Sequence, residues 1–389
     1  MHTESEGATM MRPMKIAGEQ LLFGNGCLEH LKTLKGNKAM IVTGGSSMKK
    51  AGILDKVQEY LKEAGIESVL YGGIKHDPTF HTVLDGASKM LEEKPDLIIA
   101  LGGGSVMDGA KAMWVAYEHP EIDTLEKMAP PNKIPKLRNK AKFVCIPTTS
   151  GTASEVSRSV VITDDETGFK FGIGDMEMMP DVAICDPCVT LSLPAKLTAE
   201  TGMDALTHAL EAFVSKRANY LSDILAKQAA RDIVTYLPLA VANGSNMEYR
   251  DKMMNGSMVA GLAFTNVSLG ITHSIAHTLG SYYSIQHGLA DAIVLPYIIQ
   301  FNSKDETARK KYEELNLCNG ELYQAILELN KKIGIASSVG ELILDKEEYM
   351  AKIPEMAKHA LADGCTKTNP IIPTVGEMEE LFRKIYTAL

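Results

Sequence analysis

The chain has 389 residues, of which 45% are hydrophobic and 23% are charged, and 40 Lys and Arg against 49 Asp and Glu give a net charge of −9. This length is sufficient for two domains with substantial cores. The acidic balance argues against nucleic acid or an anionic membrane as a partner, and no apolar run approaches the roughly 18–20 residues that span a bilayer. The N-terminal stretch has no export signal and six cysteines are too few for a disulfide framework, so we expect a cytoplasmic protein.

In chain order, the first half alternates between strand and helix patterns. Short apolar runs predict buried strands, and between them an amphipathic helix carries Ile53, Leu54, Val57 and Leu61 on one face. The predicted strands cover residues 39–43, 69–71, 97–101, 143–146, 160–163 and 182–185, and two further helices cover 83–92 and begin at about 106. Strands that alternate with helices at short range predict an α/β unit, a parallel sheet with flanking helices.

After about residue 192 the strand patterns give way to long helical patterns. These cover residues 200–216, 219–242, 246–265, 271–282, 287–301, 321–333, 346–362 and 375–387. We therefore predict two domains, an α/β domain over residues 1–191 and an all-helical domain over residues 192–389.

Two loops at predicted strand ends have the composition of an anion-binding site. Gly102-Gly103-Gly104-Ser105 lies between a strand and a helix, where glycines allow close approach and the helix N-terminus offers free N–H groups. The run is not a GxGxxG fingerprint and, alone, equally indicates a tight turn. Thr148, Thr149 and Thr152 add hydroxyl donors after another strand. Two such loops at strand carboxyl ends predict a dinucleotide site.

The end of the first predicted strand bears on which dinucleotide binds. NAD sites commonly carry a carboxylate at the ribose 2′-hydroxyl, whereas a 2′-phosphate excludes that charge. Here Gly45 and Ser46 follow the strand, Lys49 and Lys50 come next, and no carboxylate is present. This pattern favours NADP over NAD, with Gly45 and Ser46 at the cofactor, although the lysines are equally typical of a solvated helix start.

A set of histidines and one aspartate at helical spacing predicts a metal site. Asp204 and His208 lie four residues apart and so share one face of a helix, His273 and His277 repeat this spacing, and His287 follows. A single histidine on an apolar helix is more often a packed core residue, but two clusters in one chain favour a metal. Imidazoles with a carboxylate suit iron(II) or zinc better than calcium or magnesium.

Other titratable residues receive lesser roles. Glu211 shares the face of Asp204 and His208, and we assign it a supporting or solvated role. Cys185 and Cys188 have CxxC spacing, but a zinc site needs a second such pair or a histidine pair nearby, so we interpret them as ordinary strand-end cysteines.

These segments together resemble the iron-containing (group III) alcohol dehydrogenases, and within that family the NADP-dependent butanol dehydrogenase type. The resemblance extends from about Leu22 to the C-terminus. It is carried by GGGS at 102–105 with Asp108 and Lys111, TTSGTASE at 148–155, TGMDALTHALE at 201–211, and HSIAH at 273–277 with QHG at 286–288. The last three motifs are specific to the family.

The resemblance implies a dinucleotide-binding N-terminal domain, an all-helical metal-binding domain, and catalysis in the cleft between them. It implies that the metal ligands are Asp204, His208, His273 and His287, and that His277 faces the site as a candidate proton relay. The cofactor residues that it implies are Gly103, Gly104, Ser105, Thr148, Thr149, Thr152, Lys170 and Leu197. A homodimer is also expected from the resemblance.

Two positions depart from the family pattern. Ala153 stands where a glycine is common, so we expect a slightly altered backbone in the loop that carries Thr148, Thr149 and Thr152, here called the threonine loop. Gln286 stands where a proline often precedes the last ligand, so we expect a less rigid turn but the same ligand, His287.

We therefore predict reversible hydride transfer between NADP(H), with NAD as the alternative, and a small primary alcohol or aldehyde, supported by iron(II) or alternatively zinc. A polyol dehydrogenase of the propanediol or glycerol type remains open. A sugar-phosphate lyase of the dehydroquinate synthase type ranks lower, because the stretches around His208 and His273 hold almost no Arg or Lys. A metal-dependent hydrolase would need no dinucleotide, and a non-catalytic metal-binding module would leave the glycine and threonine loops without a role.

Overall fold

The computed structural model describes residues 14–388, and a parallel sheet organises the first half of the chain. The strands are β1 (Gln20–Phe23), β2 (Lys38–Thr43), β3 (Glu67–Tyr71), β4 (Leu97–Gly102), β5 (Lys142–Pro147), β6 (Ser159–Thr163), β7 (Lys170–Gly174) and β8 (Val182–Cys185). Six of them form one sheet in the order β1-β8-β5-β4-β2-β3, with every neighbouring pair parallel. The other two, β6 and β7, pair as a separate antiparallel ribbon.

Helices on both faces bury the central strands of this sheet. Those of the first half are α1 (Ser47–Lys50), α2 (Ile53–Glu63), α3 (Phe80–Glu93), α4 (Gly104–Glu118) and α5 (Leu125–Met128). Along β2, Met40 belongs to the same core as residues of α3 and α4, whereas Ile41 belongs to the core that includes α2. Because both faces are covered, β2 and β4 are continuous apolar runs without polar alternation, which made them recognisable in the sequence.

The second half of the described chain is helical. Its helices are α6 (Ala195–Val214), α7 (Tyr220–Ala242), α8 (Met247–Val267), α9 (Ile271–Tyr283), α10 (His287–Asn302), α11 (Glu306–Leu315), α12 (Leu322–Ile333), α13 (Lys346–Ala362) and α14 (Val375–Ile385). The predicted fold class, a parallel α/β sheet followed by an all-helical region, is confirmed. No single helix within residues 14–388 is long and apolar enough to cross a bilayer; α8 and α9 meet that criterion only as a pair bent by 100°.

Five elements were not predicted from the sequence: the short helices α1 and α5, the strands β1 and β7, and helix α11. The edge strand β1 pairs only with β8, and β7 contains two glycines that weaken its strand pattern. The sequence of α11, ETARKKYEEL, is dominated by charge, and only Ala308, Tyr312 and Leu315 are buried.

Helix α6 lies at the centre of the helical region and is buried along most of its length, in contact with α7, α8 and α10. Gly288 allows α10 to begin directly against α6, because a Cβ at this position would lie 2.3 Å from the carbonyl oxygen of Glu200. This close approach brings the first turn of α10, with His287, next to Asp204 on α6.

Candidate metal and dinucleotide site

The glycine and threonine loops lie side by side because β4 and β5 are parallel neighbours, with Gly102 opposite Pro147. The Thr148 N–H donates to the carbonyl oxygen of Gly102 at 3.0 Å. A Cβ at Gly104 would lie 2.5 Å from Cγ2 of Thr152, so only glycine permits this contact between the loops. Gly103 precedes α4, and Gly104 and Ser105 form its first turn. The two predicted loops therefore adjoin at the same edge of the sheet.

The motif residues Asp108 and Lys111 support the threonine loop from below. The Asp108 carboxylate accepts hydrogen bonds from Ser154 Oγ at 2.7 Å and from the Val161 N–H at 2.9 Å. The buried Lys111 ammonium donates to the carbonyl oxygens of Ser154 and Ser157 at 2.6 and 2.7 Å. Both oxygens of the Asp108 carboxylate are therefore hydrogen-bonded to protein groups at the end of this loop. Ala153 has a φ of 50°, a left-handed conformation that explains why glycine suits this position.

Gly45 and Ser46 lie at the same sheet edge, after β2, which neighbours β4. A Cβ at Gly45 would meet no atom within 4 Å, so this loop is open beside the glycine and threonine loops. Of the two lysines that follow, Lys49 forms an ion pair with Asp55 and is therefore partly neutralised.

The last two predicted cofactor residues connect the sheet region to the helices. Leu197 lies in the first turn of α6, and its carbonyl oxygen accepts a hydrogen bond from Thr201 Oγ1. Thr201 in turn contacts Gly151, where a Cβ would lie 2.7 Å from Cβ of Thr201. The Lys170 ammonium donates to Asp77 Oδ1 at 2.7 Å and lies against Gly280 of α9.

The four predicted metal ligands converge on one point. From Asp204 Oδ1, the distance to His208 Nε2 is 3.4 Å, and the distances to His273 Nε2 and His287 Nε2 are both 3.7 Å. His277 lies beside this group, with its ring stacked on that of His287 at a centroid distance of 5.2 Å. Three helices, α6, α9 and α10, therefore each contribute to a single cluster.

The second ring nitrogen of two of these histidines is held by a buried acceptor. His208 Nδ1–H donates to the carbonyl oxygen of Gly151 at 3.3 Å, and His273 Nδ1–H donates to Glu211 Oε2 at 2.7 Å. These bonds fix the ring orientation and turn each Nε2 toward Asp204, as metal-binding histidines require. His277 Nδ1–H donates to Asp363 Oδ2 at 2.8 Å in the same manner.

Glu211 is buried and supports the cluster rather than facing solvent. It accepts hydrogen bonds from the N–H groups of Gly270 and Thr272 at 2.8 and 2.7 Å, in addition to that from His273. Burial alone would raise the pKa of Glu211, but these donors outweigh it and hold that pKa below its usual value. Of the two roles considered from the sequence, the supporting one is found.

Sequence reasoning missed one member of the cluster, Asp291. Its Oδ2 lies 3.2 Å from His287 Nε2 and 4.0 Å from His273 Nε2. The signal was available, because Asp291 follows His287 by four residues, the spacing of Asp204 and His208. It was overlooked inside the long apolar run of α10.

The electrostatics of the cluster favour a cation at its centre. Burial lowers the pKa of His208 to about 4, so its ring is neutral at pH 7 and offers a lone pair. Burial alone would raise the pKa of Asp204, but the adjacent His208 and His273 rings outweigh it and hold that carboxyl ionised. The site therefore combines a neutral His208 imidazole with an ionised Asp204 carboxylate.

Two atoms of the cluster test whether a metal fits. Asp204 Oδ1 and His273 Nε2 are buried, and neither has a hydrogen-bond partner among residues 14–388. Buried polar atoms without a partner carry a large desolvation cost, and an ion between them removes that cost. The donor set of imidazole nitrogens and carboxylate oxygen suits iron(II) or zinc.

Comparison with known proteins gives the same assignment along nearly the whole chain. The family sequence model of the iron-containing alcohol dehydrogenases matches residues 18–187. A second family sequence model, of the C-terminal part of the Fe-containing alcohol dehydrogenases, matches residues 198–386. An NADPH-dependent butanol dehydrogenase of Clostridium saccharobutylicum is 45% identical over 375 residues, which cover 94% of this chain and 96% of the relative.

Two further similar proteins extend this result. A 1,3-propanediol dehydrogenase of Klebsiella pneumoniae is 37% identical over 92% of this chain and 94% of its own. The solved structure of an iron-containing alcohol dehydrogenase from Thermococcus thioreducens superposes with a TM-score of 0.90 at 34% identity, covering 96% of this chain and 99% of that one.

Proposed function

Because the chain belongs to the iron-containing alcohol dehydrogenase family, we propose that its substrates are small primary alcohols and aldehydes, interconverted with NADP(H) where three helices meet the strand-end loops. It is an NAD(P)-dependent oxidoreductase of the alcohol dehydrogenase class, with iron and NADP(H) as cofactors. One observation carries the substrate proposal: the ligand cluster is bonded directly to the threonine loop through His208 and Gly151. This contact supports a metal site next to the proposed cofactor loop.

The metal would be held by Asp204, His208, His273 and His287. A bound iron(II), or zinc in its place, supplies Lewis-acid polarisation of a substrate oxygen. Glu211 and Gly151 keep two of the imidazoles oriented, so the ligands are organised before an ion arrives.

The dinucleotide would be held by the loops after β2, β4 and β5. Bound NADP(H) supplies or accepts the hydride. The N–H groups of Gly103, Gly104 and Ser105 at the start of α4 would hold its pyrophosphate, because the helix dipole there favours negative charge. The remaining contacts are assigned to Gly45, Ser46, Thr148, Thr149, Thr152, Lys170 and Leu197. The lack of a carboxylate at Gly45 and Ser46 leaves room for a 2′-phosphate.

His277 is assigned to proton transfer. Its Nδ1–H is held by the Asp363 carboxylate, so its Nε2 is the atom that takes a proton from the alcohol side and releases it to solvent. Its ring is stacked on His287 at the edge of the ligand cluster, and its side chain is only 18% exposed. His277→Ala should lower kcat at pH 7 while leaving the bound metal in place.

The test combines metal analysis with substrate rates. Protein purified without oxygen is analysed for iron and zinc, and the change in nicotinamide absorbance is measured with butanol, butanal, 1,3-propanediol and glycerol, each with NADP(H) and NAD(H). We expect the fastest rates with butanal and NADPH. A preference for 1,3-propanediol would instead support the polyol alternative, to which the Klebsiella pneumoniae relative is similar. Metal-loaded enzyme that oxidises or reduces none of these would contradict the proposal.

We further propose a cytoplasmic homodimer with a domain boundary near residue 191. All six cysteines are free thiols, which suits a reducing compartment. The boundary falls between the two family-model matches, which end at 187 and begin at 198. Light scattering should give twice the chain mass of 42.3 kDa, and a monomeric mass would contradict the dimer.

A further inference from the structure

We propose that Asp291 is a fifth protein ligand, which gives the metal centre a second carboxylate. This inference rests on the proposed metal site and deepens it. It concerns how the ion is held, not which substrate is turned over.

The first argument is distance. One donor atom from each of Asp204, His273, His287 and Asp291 can be chosen so that all four lie within 4.8 Å of one another. Ligands about 2.1 Å from one metal ion lie at most about 4.2 Å apart. A shift of a few tenths of an ångström therefore brings Asp291 into the same coordination sphere. His208 belongs to the same group because its Nε2 lies 3.4 Å from Asp204 Oδ1.

The second argument is that Asp291 lacks the partners that other buried carboxylates have. Its side chain is 0% exposed, and neither carboxylate oxygen has a hydrogen-bond partner among residues 14–388. By contrast, Asp181 accepts from the Phe143 N–H and from Arg138, and Asp186 accepts from the N–H groups of Leu28 and Cys188. A buried carboxylate without donors is rare unless it meets a cation.

Asp204 also has a buried carboxylate oxygen without a hydrogen-bond donor in the described part of the chain. Comparing the two carboxylates indicates that their common partner is a metal ion. Asp204 Oδ1 is also buried and unpartnered, and it is the oxygen on which the histidines converge. The two carboxylates are therefore alike in burial, in having a buried oxygen without a donor, and in facing His273 and His287. One ion between them provides a partner for both.

A second carboxylate changes the charge and geometry of the site. With Asp204 alone, a divalent ion leaves one net positive charge in a buried place, whereas Asp204 and Asp291 together neutralise it. Five protein ligands also exceed the three or four that zinc sites use, and they suit ions that accept five or six ligands, such as iron(II). Asp291 should therefore increase affinity and favour iron over zinc.

The test compares wild type with Asp291→Asn, which keeps the shape and removes the charge. The dissociation constants for iron(II) and zinc are measured by chelator competition without oxygen. We expect iron(II) binding to weaken by at least about 10-fold, the lower end of the loss seen when residues around a metal are changed, and zinc binding to weaken less. Asp55→Asn, an exposed carboxylate remote from the site, should change neither constant.

A second measurement can overturn the proposal with wild type alone. Cobalt(II) bound to wild type should give the weak visible bands of a five- or six-coordinate ion, and Asp291→Asn should move them toward the intense bands of a four-coordinate one. Intense four-coordinate bands in wild type, or equal iron(II) affinity in wild type and Asp291→Asn, would overturn the role of Asp291 without affecting the proposed activity. Conversely, weaker iron(II) binding in Asp291→Asn with no dehydrogenase activity in wild type would support Asp291 and refute the activity. Wild type that binds no divalent ion would overturn both.

Discussion

At the scale of single residues, the orientation of His273 depends on Glu211, which accepts hydrogen bonds from that ring and from the N–H groups of Gly270 and Thr272. Glu211→Gln keeps the shape but removes the charge that holds Nδ1–H. We expect metal affinity to fall by about 10- to 100-fold, the usual cost of losing such a partner. Chelator competition measures this loss. Glu380→Gln, on the exposed surface of α14, should leave affinity unchanged. Equal affinity in wild type and Glu211→Gln would show that His273 is oriented by other contacts.

Asp204 is the residue on which all three histidine ligands converge, so its removal should have the largest effect. We expect Asp204→Ala to lose bound metal and activity together, because it removes the oxygen that lies within 3.7 Å of all three imidazole nitrogens. Metal content per chain and turnover with butanal measure the two losses. Full turnover with normal metal content would contradict the assignment.

Glu155 provides a pH-dependent contribution to stability. Burial raises the pKa of Glu155 to about 7 from an ordinary value of 4.5. The folded state therefore binds more protons than the unfolded state in this range, and the stability from Glu155 is full below pH 4.5 and lost as pH rises through 7. The contribution of Glu155 to the free energy of unfolding is on the order of 3 kcal/mol, since one pKa unit corresponds to about 1.4 kcal/mol.

Replacing Glu155 with Gln should remove this dependence. We expect Glu155→Gln to be more stable than wild type at pH 8 and closer to it at pH 5, in thermal unfolding at both values. Glu380→Gln serves as the control, and its difference from wild type should not change with pH. A difference for Glu155→Gln that is equal at the two pH values would contradict the burial argument.

The residues of the site differ in how far the sequence could predict them. One-turn spacing paired Asp204 with His208 and His273 with His277, because such side chains share a helix face before any tertiary contact is known. The choice of Asp204, His208, His273 and His287 as the ligands came from the family resemblance. Glu211 could be placed on that face but not assigned a partner, because its donors come from α9, some 60 residues further on. Asp291 was missed although it follows His287 by one helical turn, because it lies inside the long apolar run of α10 and its proximity to His273 arises only when α9 and α10 pack together.

At the scale of elements, the position of α10 against α6 depends on Gly288. A Cβ there would lie 2.3 Å from the backbone carbonyl oxygen of Glu200, so Gly288→Ala must move the start of α10 outward together with His287. We expect weaker metal binding and a lower melting temperature. Gly376→Ala is a matched control, because a Cβ in this first turn of α14 would meet no atom within 4 Å. An unchanged metal dissociation constant in Gly288→Ala would show that α10 adapts without moving His287.

Elements whose burial is visible in the sequence were predicted, and the others were not. Strands β2 and β4 are apolar throughout because helices cover both faces, whereas β1 and β7 lie at edges and have only partial patterns. Helix α11 was missed because its ten residues carry mostly charge and bury only three side chains. Each of these elements was missed because its burial depends on tertiary contacts that the local sequence pattern does not show.

At the scale of the whole molecule, the two halves of the site are joined through one backbone group. The carbonyl oxygen of Gly151, in the threonine loop, accepts from His208 Nδ1–H at 3.3 Å and from Ser257 Oγ at 3.2 Å. Gly151 also packs on Thr201 of α6, where a Cβ would lie 2.7 Å away. The loop proposed to bind the dinucleotide and the helix proposed to bind the metal are therefore directly connected.

This connection predicts that metal and NADPH bind cooperatively. Because coupling is reciprocal, metal should tighten NADPH binding by the same factor by which NADPH tightens metal binding, typically about 5- to 150-fold. Titration of NADPH fluorescence with metal-free and metal-loaded enzyme, and chelator competition with and without NADPH, measure the two factors. Ser257→Ala removes one donor to Gly151 and should reduce the coupling, whereas Ser303→Ala, which loses a hydrogen bond within α10 to Ile299, should not. If NADPH bound equally well with and without metal, the predicted cooperativity would be wrong. The Gly151 contact would then be structural only and would not couple the two binding affinities.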